Sequence, residues 1–315
     1  MFNFGRSLSS DPIAATCSTI SPAATTTIGC NGQSPQVVTI TSKGFGNYNA
    51  GYLQVTFQDW HGLTMKTNLN YSHALGTGNL VQASSAAETI DPFKLQNSYG
   101  PQYYDEKFTF NLFLNYAPPF YASQNGWLGR LLGGWNFSPL FVYGTGFPIQ
   151  MYTATGCSYG ACNPAYSSTF ENMVITQNLH YSATKKKATG TTCGTIGAGY
   201  NVFSNPDATC PANGGILGDP VRNPILGLDG DIGGGGPVRG LPFWNLDLGI
   251  TKKIKMNDRL SSALYFDFYN VLNHMQAADP CFFSNSPASW GVLGCGGNLQ
   301  ANTPRRLQLG LSLQW

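Results

Sequence analysis

Residues 307–315 read LQLGLSLQW, a run in which every second side chain is large and apolar. Successive side chains of a β-strand point to opposite faces of its sheet, so this run predicts a strand with one apolar and one polar face. The apolar face carries Leu307, Leu309, Leu311, Leu313 and Trp315. The other face carries Gln308, Gly310, Ser312 and Gln314.

The same alternation recurs upstream and predicts three hairpins. Their strands lie at 53–58 with 63–72, 108–116 with 135–143, and 244–251 with 260–269. The first pair meets at the tight turn of residues 59–62, and the third at residues 257–258. Residues 37–41 are a weaker candidate strand. The apolar stretch 127–132, inside the second connection, is either a half-buried turn or a brief helix.

Connection lengths alternate as well, because short turns join strands within hairpins and long segments (about 76–104, 147–241 and 273–304) join one hairpin to the next. Short turns on one side and long loops on the other are typical of a transmembrane β-barrel, although a soluble β-sandwich also alternates. The long loops and the scarcity of charge favour the membrane. We predict an all-β chain: residues 46–315 form a transmembrane antiparallel β-barrel with long, disulfide-bearing extracellular loops, and residues 1–45 are an unassigned segment.

Composition narrows the class of protein. The chain has 17 Lys+Arg against 15 Asp+Glu, and 10% of its residues are charged, where a soluble domain has about 25%. No nucleic-acid partner is therefore expected. No apolar run is long enough for a transmembrane helix. Residues 1–17 lack the apolar core of an export signal, so we expect this chain to be the downstream piece of a longer protein.

The eight cysteines all fall in loop-like stretches. An even number confined to loops predicts disulfides formed in an oxidising compartment. Zinc is the alternative, but no C-x-x-C pair is present and the four histidines are scattered. Pairing by proximity, one of 105 connectivities, gives Cys17–Cys30, Cys157–Cys162, Cys193–Cys210 and Cys281–Cys295.

Large aromatic side chains stand near the predicted strand ends. In a barrel, such positions form the girdles at the two membrane interfaces, whereas each residue alone could equally be a core aromatic. The candidate girdle consists of Tyr71, Tyr116, Tyr143, Trp244 and Tyr269, together with the terminal Trp315.

We find no constellation for catalysis and expect neither a catalytic residue, a metal site nor a cofactor. Asp247 and Asp267 could approach each other on the polar faces of neighbouring strands, but a solvated lumen or a plug contact is the simpler interpretation. The glycines of 233–236 lack the Lys-Ser/Thr of a phosphate loop. We expect the basic run 185–187 to face water, and contact with lipopolysaccharide or an anionic ligand is the alternative. Loop tyrosines could hold a ligand by stacking on it: Tyr152, Tyr159, Tyr166, Tyr181 and Tyr200.

Six stretches in order carry a resemblance to a known family. They are NYNA at 47–50, SYGP at 98–101 with 105–108, LLGGW at 131–135 with TGFP at 145–148, WNLDL at 244–248, FDFYNVLNH at 266–274, and RLQLGL at 306–311. From about residue 45 to the end, the chain resembles the C-terminal barrel portion of a TonB-dependent outer-membrane receptor. The likeness is to the Oar-like subgroup with a carboxypeptidase-regulatory-like N-terminal domain. The end of the chain, from Leu307 to Trp315, looks like the signal that the barrel-assembly machinery recognises.

The resemblance implies the last strands of a 22-stranded barrel in the bacterial outer membrane, with its loops extracellular. It implies energised uptake of a scarce bulky solute: an oligosaccharide, a peptide or a metal chelate. Expected partners are membrane lipid, lipopolysaccharide, the assembly machinery and a protein bound by the loops, with the TonB complex reached through a plug that this sequence does not display. The alternative is a stand-alone barrel of about eight strands that acts as a surface adhesin or structural subunit. The predicted lumen face has few charges, which favours a wide lumen filled by another domain.

Overall fold

The computed structural model describes most of the chain from residue 42 onward. The described residues are 42–77, 95–149, 151, 157–158, 161–162, 173–177, 179, 191–192, 195–196, 200–203, 221–222, 238–257, 259–282, 290–294 and 300–315. The candidate strand at 37–41 lies outside them.

Seven long strands form one antiparallel sheet, in which neighbouring strands follow one another in the order of the chain. The strands are β1 (Gly46–Trp60), β2 (Leu63–Gly76), β3 (Phe108–Tyr116), β4 (Trp135–Gly144), β5 (Phe243–Lys255), β6 (Ser261–Tyr269) and β7 (Arg306–Gln314). The short strand Gly100–Pro101 pairs with the end of β2. The three predicted hairpins are confirmed as β1–β2, β3–β4 and β5–β6.

The strand register gathers most of the large apolar residues on one side of the sheet. One row across five strands reads Leu53, Leu69, Phe110, Tyr143 and Trp244. The adjacent row reads Gln54, Asn68, Asn111, Val142 and Asn245. Directly opposed residues of an antiparallel pair point to the same side. The sheet therefore has an apolar face, defined by the first row, and a polar face, defined by the second.

The β1–β2 turn requires a glycine. Asp59 and His61 have φ values of 51° and 52°, and Gly62 has a φ of 80°. A Cβ at position 62 would also collide with the carbonyl oxygen of Ala117 in the neighbouring connection. Glycine satisfies both constraints because it has no Cβ and adopts positive φ readily.

The connection between β3 and β4 contains a helix, α1 (Gly126–Leu132). Of the two alternatives for residues 127–132, the helix is therefore the correct one. Lys252 of β5 donates hydrogen bonds from Nζ to the carbonyl oxygens of Leu131 (2.9 Å) and Gly133 at the end of α1. Of the described helices, none is long and apolar enough to cross a membrane.

The sheet is open over the part of the chain that the structure describes. Within it, β1 pairs with β2 alone and β7 pairs with β6 alone. Each outer strand therefore has an edge without a strand partner in the described residues. The structure shows seven barrel-type strands, whereas closure and a total of 22 strands stay predictions.

The buried apolar core lies in the long connections. Parts of the β4–β5 and β6–β7 connections pack together into what we call the loop core: Met151, Met173, Val202, Phe203, Val221, Val238, Leu241, Ala277, Phe282, Trp290 and Leu293. Short two-stranded ladders support it, formed by Pro148–Ile149 with Val238–Arg239 and by Val174–Ile175 with Val221–Arg222. Ladders also join Cys157–Ser158 to Ala161–Cys162 and Thr191–Thr192 to Thr195–Ile196. A 3-10 turn occupies Leu95–Ser98.

Candidate functional site

A buried carboxylate joins three segments at the end of the sheet where the long connections emerge, which we call the loop end. Asp105, with 1% of its side chain exposed, precedes β3. Its carboxylate accepts hydrogen bonds from the backbone N–H of Ala74 at 2.7 Å and from Nδ1 of His73 at 3.0 Å. Arg239 forms a salt bridge to the same carboxylate and donates from Nη1 to the Asp105 carbonyl oxygen at 2.7 Å. Asp105 thereby ties β2 and the segment before β5 to the start of β3.

These contacts keep Asp105 ionised. Burial alone would raise the pKa of this carboxyl. The hydrogen bonds from Ala74, His73 and Arg239, with the positive charge of Arg239, outweigh burial, so the pKa lies below its ordinary value of 3.8.

Next to this carboxylate, a cavity of about 540 Å³ opens between the polar face and the loop core. Its wall combines acidic, amide and aromatic side chains, among them Glu106, Asn111, Phe147, Phe243, Gln276 and Asp279. Clefts of this size with a few placed polar groups on an aromatic wall are the usual form of a small-molecule site.

The two carboxyls of the cavity differ from Asp105 because no described cation pairs with them. Burial raises the pKa of Glu106. Burial also raises the pKa of Asp279, and a hydrogen bond from the Leu241 N–H at 2.8 Å offsets part of that rise. Carboxylate oxygens have room for several hydrogen bonds, so a cationic or hydroxyl-bearing solute could donate to both of these carboxyls.

The predicted girdle residues occupy strand ends, but not all on one face. Tyr71, Tyr143 and Trp244 lie on the apolar face at the loop end, and Tyr116 lies at the opposite, short-turn end. Tyr269 belongs to the polar-face series, where it is paired with Arg306, whose guanidinium lies 5.5 Å from the Tyr269 ring centre.

The C-terminal leucines lie on the apolar face of β7. Leu307, Leu309, Leu311 and Leu313 are between 50% and 65% exposed, and Trp315 is 94% exposed. No described element covers them, as expected for side chains that meet lipid. Recognition by the assembly machinery stays a prediction.

Most predicted loop residues lie outside the described part of the chain, namely Cys17, Cys30, Cys193, Cys210, Cys295, Tyr152, Tyr159, Tyr166 and Tyr181, with 185–187 and 233–236. Cys281 is disulfide-bonded, although its predicted partner is among those residues. The backbone places Cys157 directly opposite Cys162 across a two-stranded ladder, and a disulfide between them stays a prediction. Tyr200 is described and partly exposed.

The two aspartates considered for acid–base chemistry lie on the polar face of neighbouring strands as diagonal neighbours in the register. Asp247 accepts hydrogen bonds from Asn245 Nδ2 and from the Asn270 N–H, both at 2.7 Å. Asp267 lies opposite Gly249 in the register, diagonal to Asp247. Within the described residues there is no group of three or more potential metal ligands.

Sequence reasoning missed both Asp105 as a structural hub and the cavity. Asp105 meets His73 and Arg239 across 32 and 134 positions of the chain, and local alternation carries no information about such pairs. The available signal was the acidic pair Asp105-Glu106, one residue before the strand that begins at Phe108, together with His73 near the end of β2.

Comparison with known proteins agrees with this architecture. The sequence model of one protein family, described as "Outer membrane beta barrel domain", matches residues 7–308. No curated protein and no solved structure matches the chain.

Proposed function

This chain belongs to the outer membrane beta barrel domain family, and we propose that it forms part of the wall of a TonB-dependent receptor. The receptor would take up a scarce bulky solute, such as an oligosaccharide, a peptide or a metal chelate, across the bacterial outer membrane. We expect binding and transport from it rather than catalysis.

The apolar face supports a lipid-facing wall. Its side chains at β1 and β7, including Leu53, Phe57 and Leu311, are exposed in the described structure. An uncovered apolar sheet in water would be an aggregation site, whereas in lipid it is the favoured surface.

The polar face carries the argument for a receptor whose lumen is filled by a plug. Phe113, Leu140 and Tyr265 point to this side, and each is at least 36% exposed. On the same face, Asn115 Oδ1 accepts hydrogen bonds from Asn136 Nδ2 and Ser138 Oγ, both at 2.8 Å. Asn136 Oδ1 is buried without a donor among the described residues. Exposed large apolar side chains together with an unsatisfied acceptor suit a surface that a second domain covers.

A small barrel differs from a receptor barrel in what fills its interior. An eight-stranded barrel fills its own interior with interlocking side chains. Among the described residues, the ion pairs are those of Asp105 with His73 and Arg239, at the loop end rather than across the lumen face. The lumen face therefore favours the receptor over the small barrel.

The cavity at the loop end would receive the solute first. Its carboxyls and amides can bind hydroxyl or cationic groups, and its aromatic rings can stack on a sugar or a peptide side chain. Lipopolysaccharide would surround the loop end, and the TonB complex would act through the plug.

The adhesin or structural-subunit alternative is supported by the loop core. A loop layer with its own buried core, and with Cys281 disulfide-bonded, would present a preorganised surface to a protein partner.

A site-specific photo-cross-linking experiment separates these two functions. A photoreactive phenylalanine analogue would be placed at Phe113, on the polar face, and at its neighbour Leu112, on the apolar face, as a matched control. For a plugged receptor we expect protein cross-links from position 113 to a separate domain and lipid cross-links from position 112. Absence of protein cross-links from position 113, with a native mass near 33.9 kDa, would contradict the receptor and favour the stand-alone barrel.

A further inference from the structure

Helix α1 exposes its large apolar side chains. Trp127 is 74% exposed, and Leu128, Leu131 and Leu132 on the same side of the helix are also exposed. The helix packs instead through Gly129, whose Cα lies against the backbone of Gln124. A Cβ added at position 129 would be 2.8 Å from the Gln124 carbonyl carbon. A short helix that turns its glycine inward and its Trp and Leu outward is arranged to bury its apolar side against something else.

Lys252 fixes the end of α1 on the lipid-facing side of the sheet. It pairs with Trp135 and Leu264, so it belongs to the apolar face. Its ammonium lies 4.8 Å from the Trp135 ring centre and donates to the carbonyl oxygens of Leu131 and Gly133. A cation is favoured at a helix C-terminus because unpaired carbonyls concentrate negative charge there. The outward side of α1 is therefore continuous with the apolar face.

A basic pocket of about 530 Å³ adjoins the helix at the short-turn end of the sheet. Its charged side chains are Arg130, Lys255 and Arg259, and Trp315 also lines it. Lys255 is the last residue of β5 and belongs to the polar-face series, whereas Trp315 continues the apolar series of β7, so the pocket lies across the rim of the sheet. No Asp or Glu stands among the described residues of its wall.

The wall of this pocket is held by hydrogen bonds. Gln124 accepts from the Lys255 N–H at 2.9 Å and donates to the Lys253 carbonyl oxygen at 3.0 Å. Asn257 Oδ1 accepts from the Arg259 N–H at 2.9 Å. These bonds fix the backbone from which the Lys255 and Arg259 side chains extend.

We propose that α1 and this pocket form a binding site for one glycerophospholipid of the inner leaflet. Arg130, Lys255 and Arg259 would bind the phosphodiester, while Trp127 and the exposed leucines of α1 contact the glycerol and upper acyl region. Arg130 connects the two parts because it lies on α1 and lines the pocket. In outer-membrane barrels the short turns lie on the periplasmic side, where the inner leaflet is. This inference requires the barrel but not the uptake function.

The test measures binding of spin-labelled phosphatidylglycerol to the purified protein in detergent micelles. Each removed cation near a membrane surface weakens lipid attraction about 5-fold, so Arg130→Gln, Lys255→Gln and Arg259→Gln together should weaken binding roughly 100-fold. Trp127→Ala should weaken it roughly 10-fold because apolar burial is lost. Inorganic phosphate should not displace the lipid.

The matched control removes the same charge at the loop end, through Lys43→Gln, Arg305→Gln and Arg306→Gln. It should bind the lipid within about 2-fold of the parent protein, because charges separated by more than about 10 Å are screened. Electrophoretic mobility before and after boiling confirms that each variant is folded. Equal weakening in both triple variants, unchanged binding in the pocket variant, or displacement of the lipid by inorganic phosphate would overturn the proposal.

Discussion

The Asp105 side chain holds together three segments of the loop end. Its carboxylate holds the N–H of Ala74, the ring of His73 and the guanidinium of Arg239. Removing one partner of a buried pair leaves the other charge uncompensated, which costs more than the pair itself contributes.

Asp105→Asn should therefore lower the free energy of unfolding by about 3 kcal/mol at pH 7. Because the folded-state pKa of Asp105 is lowered, its contribution is complete above the ordinary value of 3.8 and is lost as the pH falls through the lower folded-state value. The gap between the parent and the variant should close below pH 3.8. Urea unfolding in bilayers across this pH range measures it.

The control for this substitution is Asp59→Asn in the β1–β2 turn. Asp59 is exposed and has a φ of 51°, a conformation that Asn also tolerates. An Asp105→Asn variant that unfolds like this control at pH 7 would show that the carboxylate does not stabilise the loop end.

Single residues were the hardest level to predict from the sequence. The face of Tyr71, Tyr143 and Trp244 followed from alternation, because parity along a strand fixes the face, whereas their role in a girdle stays a prediction. Lys252 could not be understood in the same way, since its charge interrupts the apolar series of β5. Its partners at the end of α1 lie about 120 positions earlier in the chain.

At the scale of elements, amphipathic strands account for the architecture. All seven long strands were predicted because alternation is a local property of the sequence. The bounds were less accurate at β1, which begins at Gly46 rather than near Leu53. The first residues of β1 are mostly small or polar, and their pairing with the end of β2 is what makes them a strand.

Leu309 and Gln308 test which face of β7 meets lipid. Leu309→Arg should destabilise the barrel by about 2–4 kcal/mol, because an arginine near the bilayer centre is poorly solvated. Gln308→Arg, one residue away and on the polar face, should change stability by less than about 1 kcal/mol. Equal effects of the two variants on urea unfolding from bilayers would contradict the assignment of faces.

At the scale of the whole molecule, the buried apolar core lies in the long connections and not on the seven-stranded sheet. The loop core joins two connections that are distant in the chain, as in the 2.7 Å hydrogen bond from Asn201 to the Trp290 carbonyl oxygen, 89 positions apart. Its existence could not be predicted, since the contributing segments are short and carry no periodic pattern. The alternation of short and long connections, in contrast, was visible in the sequence.

Trp290→Ala tests whether the loop core is independent of the sheet. Trp290 is fully buried and packs against Phe282, with ring centres 5.4 Å apart. The substitution should destabilise the loop core by about 3–5 kcal/mol. Faster proteolysis of the β4–β5 and β6–β7 connections should follow, with unchanged mobility of the unboiled barrel.

The matched control is Trp60→Ala, at the exposed β1–β2 turn. It should leave proteolysis of the long connections unchanged. Loss of the folded barrel in Trp290→Ala, or cleavage at the parental rate, would contradict the separation of the two parts.

The apolar face also has a measurable height. On β4, Trp135 and Tyr143 bracket it at opposite ends, eight positions apart, which is about 26 Å along a strand. A tilt of roughly 40° reduces this to about 20 Å across the membrane. A wall of this height matches a thin bilayer, so a thicker one would have to compress around it. Hydrophobic thickness, as well as targeting, would therefore restrict the membranes in which this protein is stable.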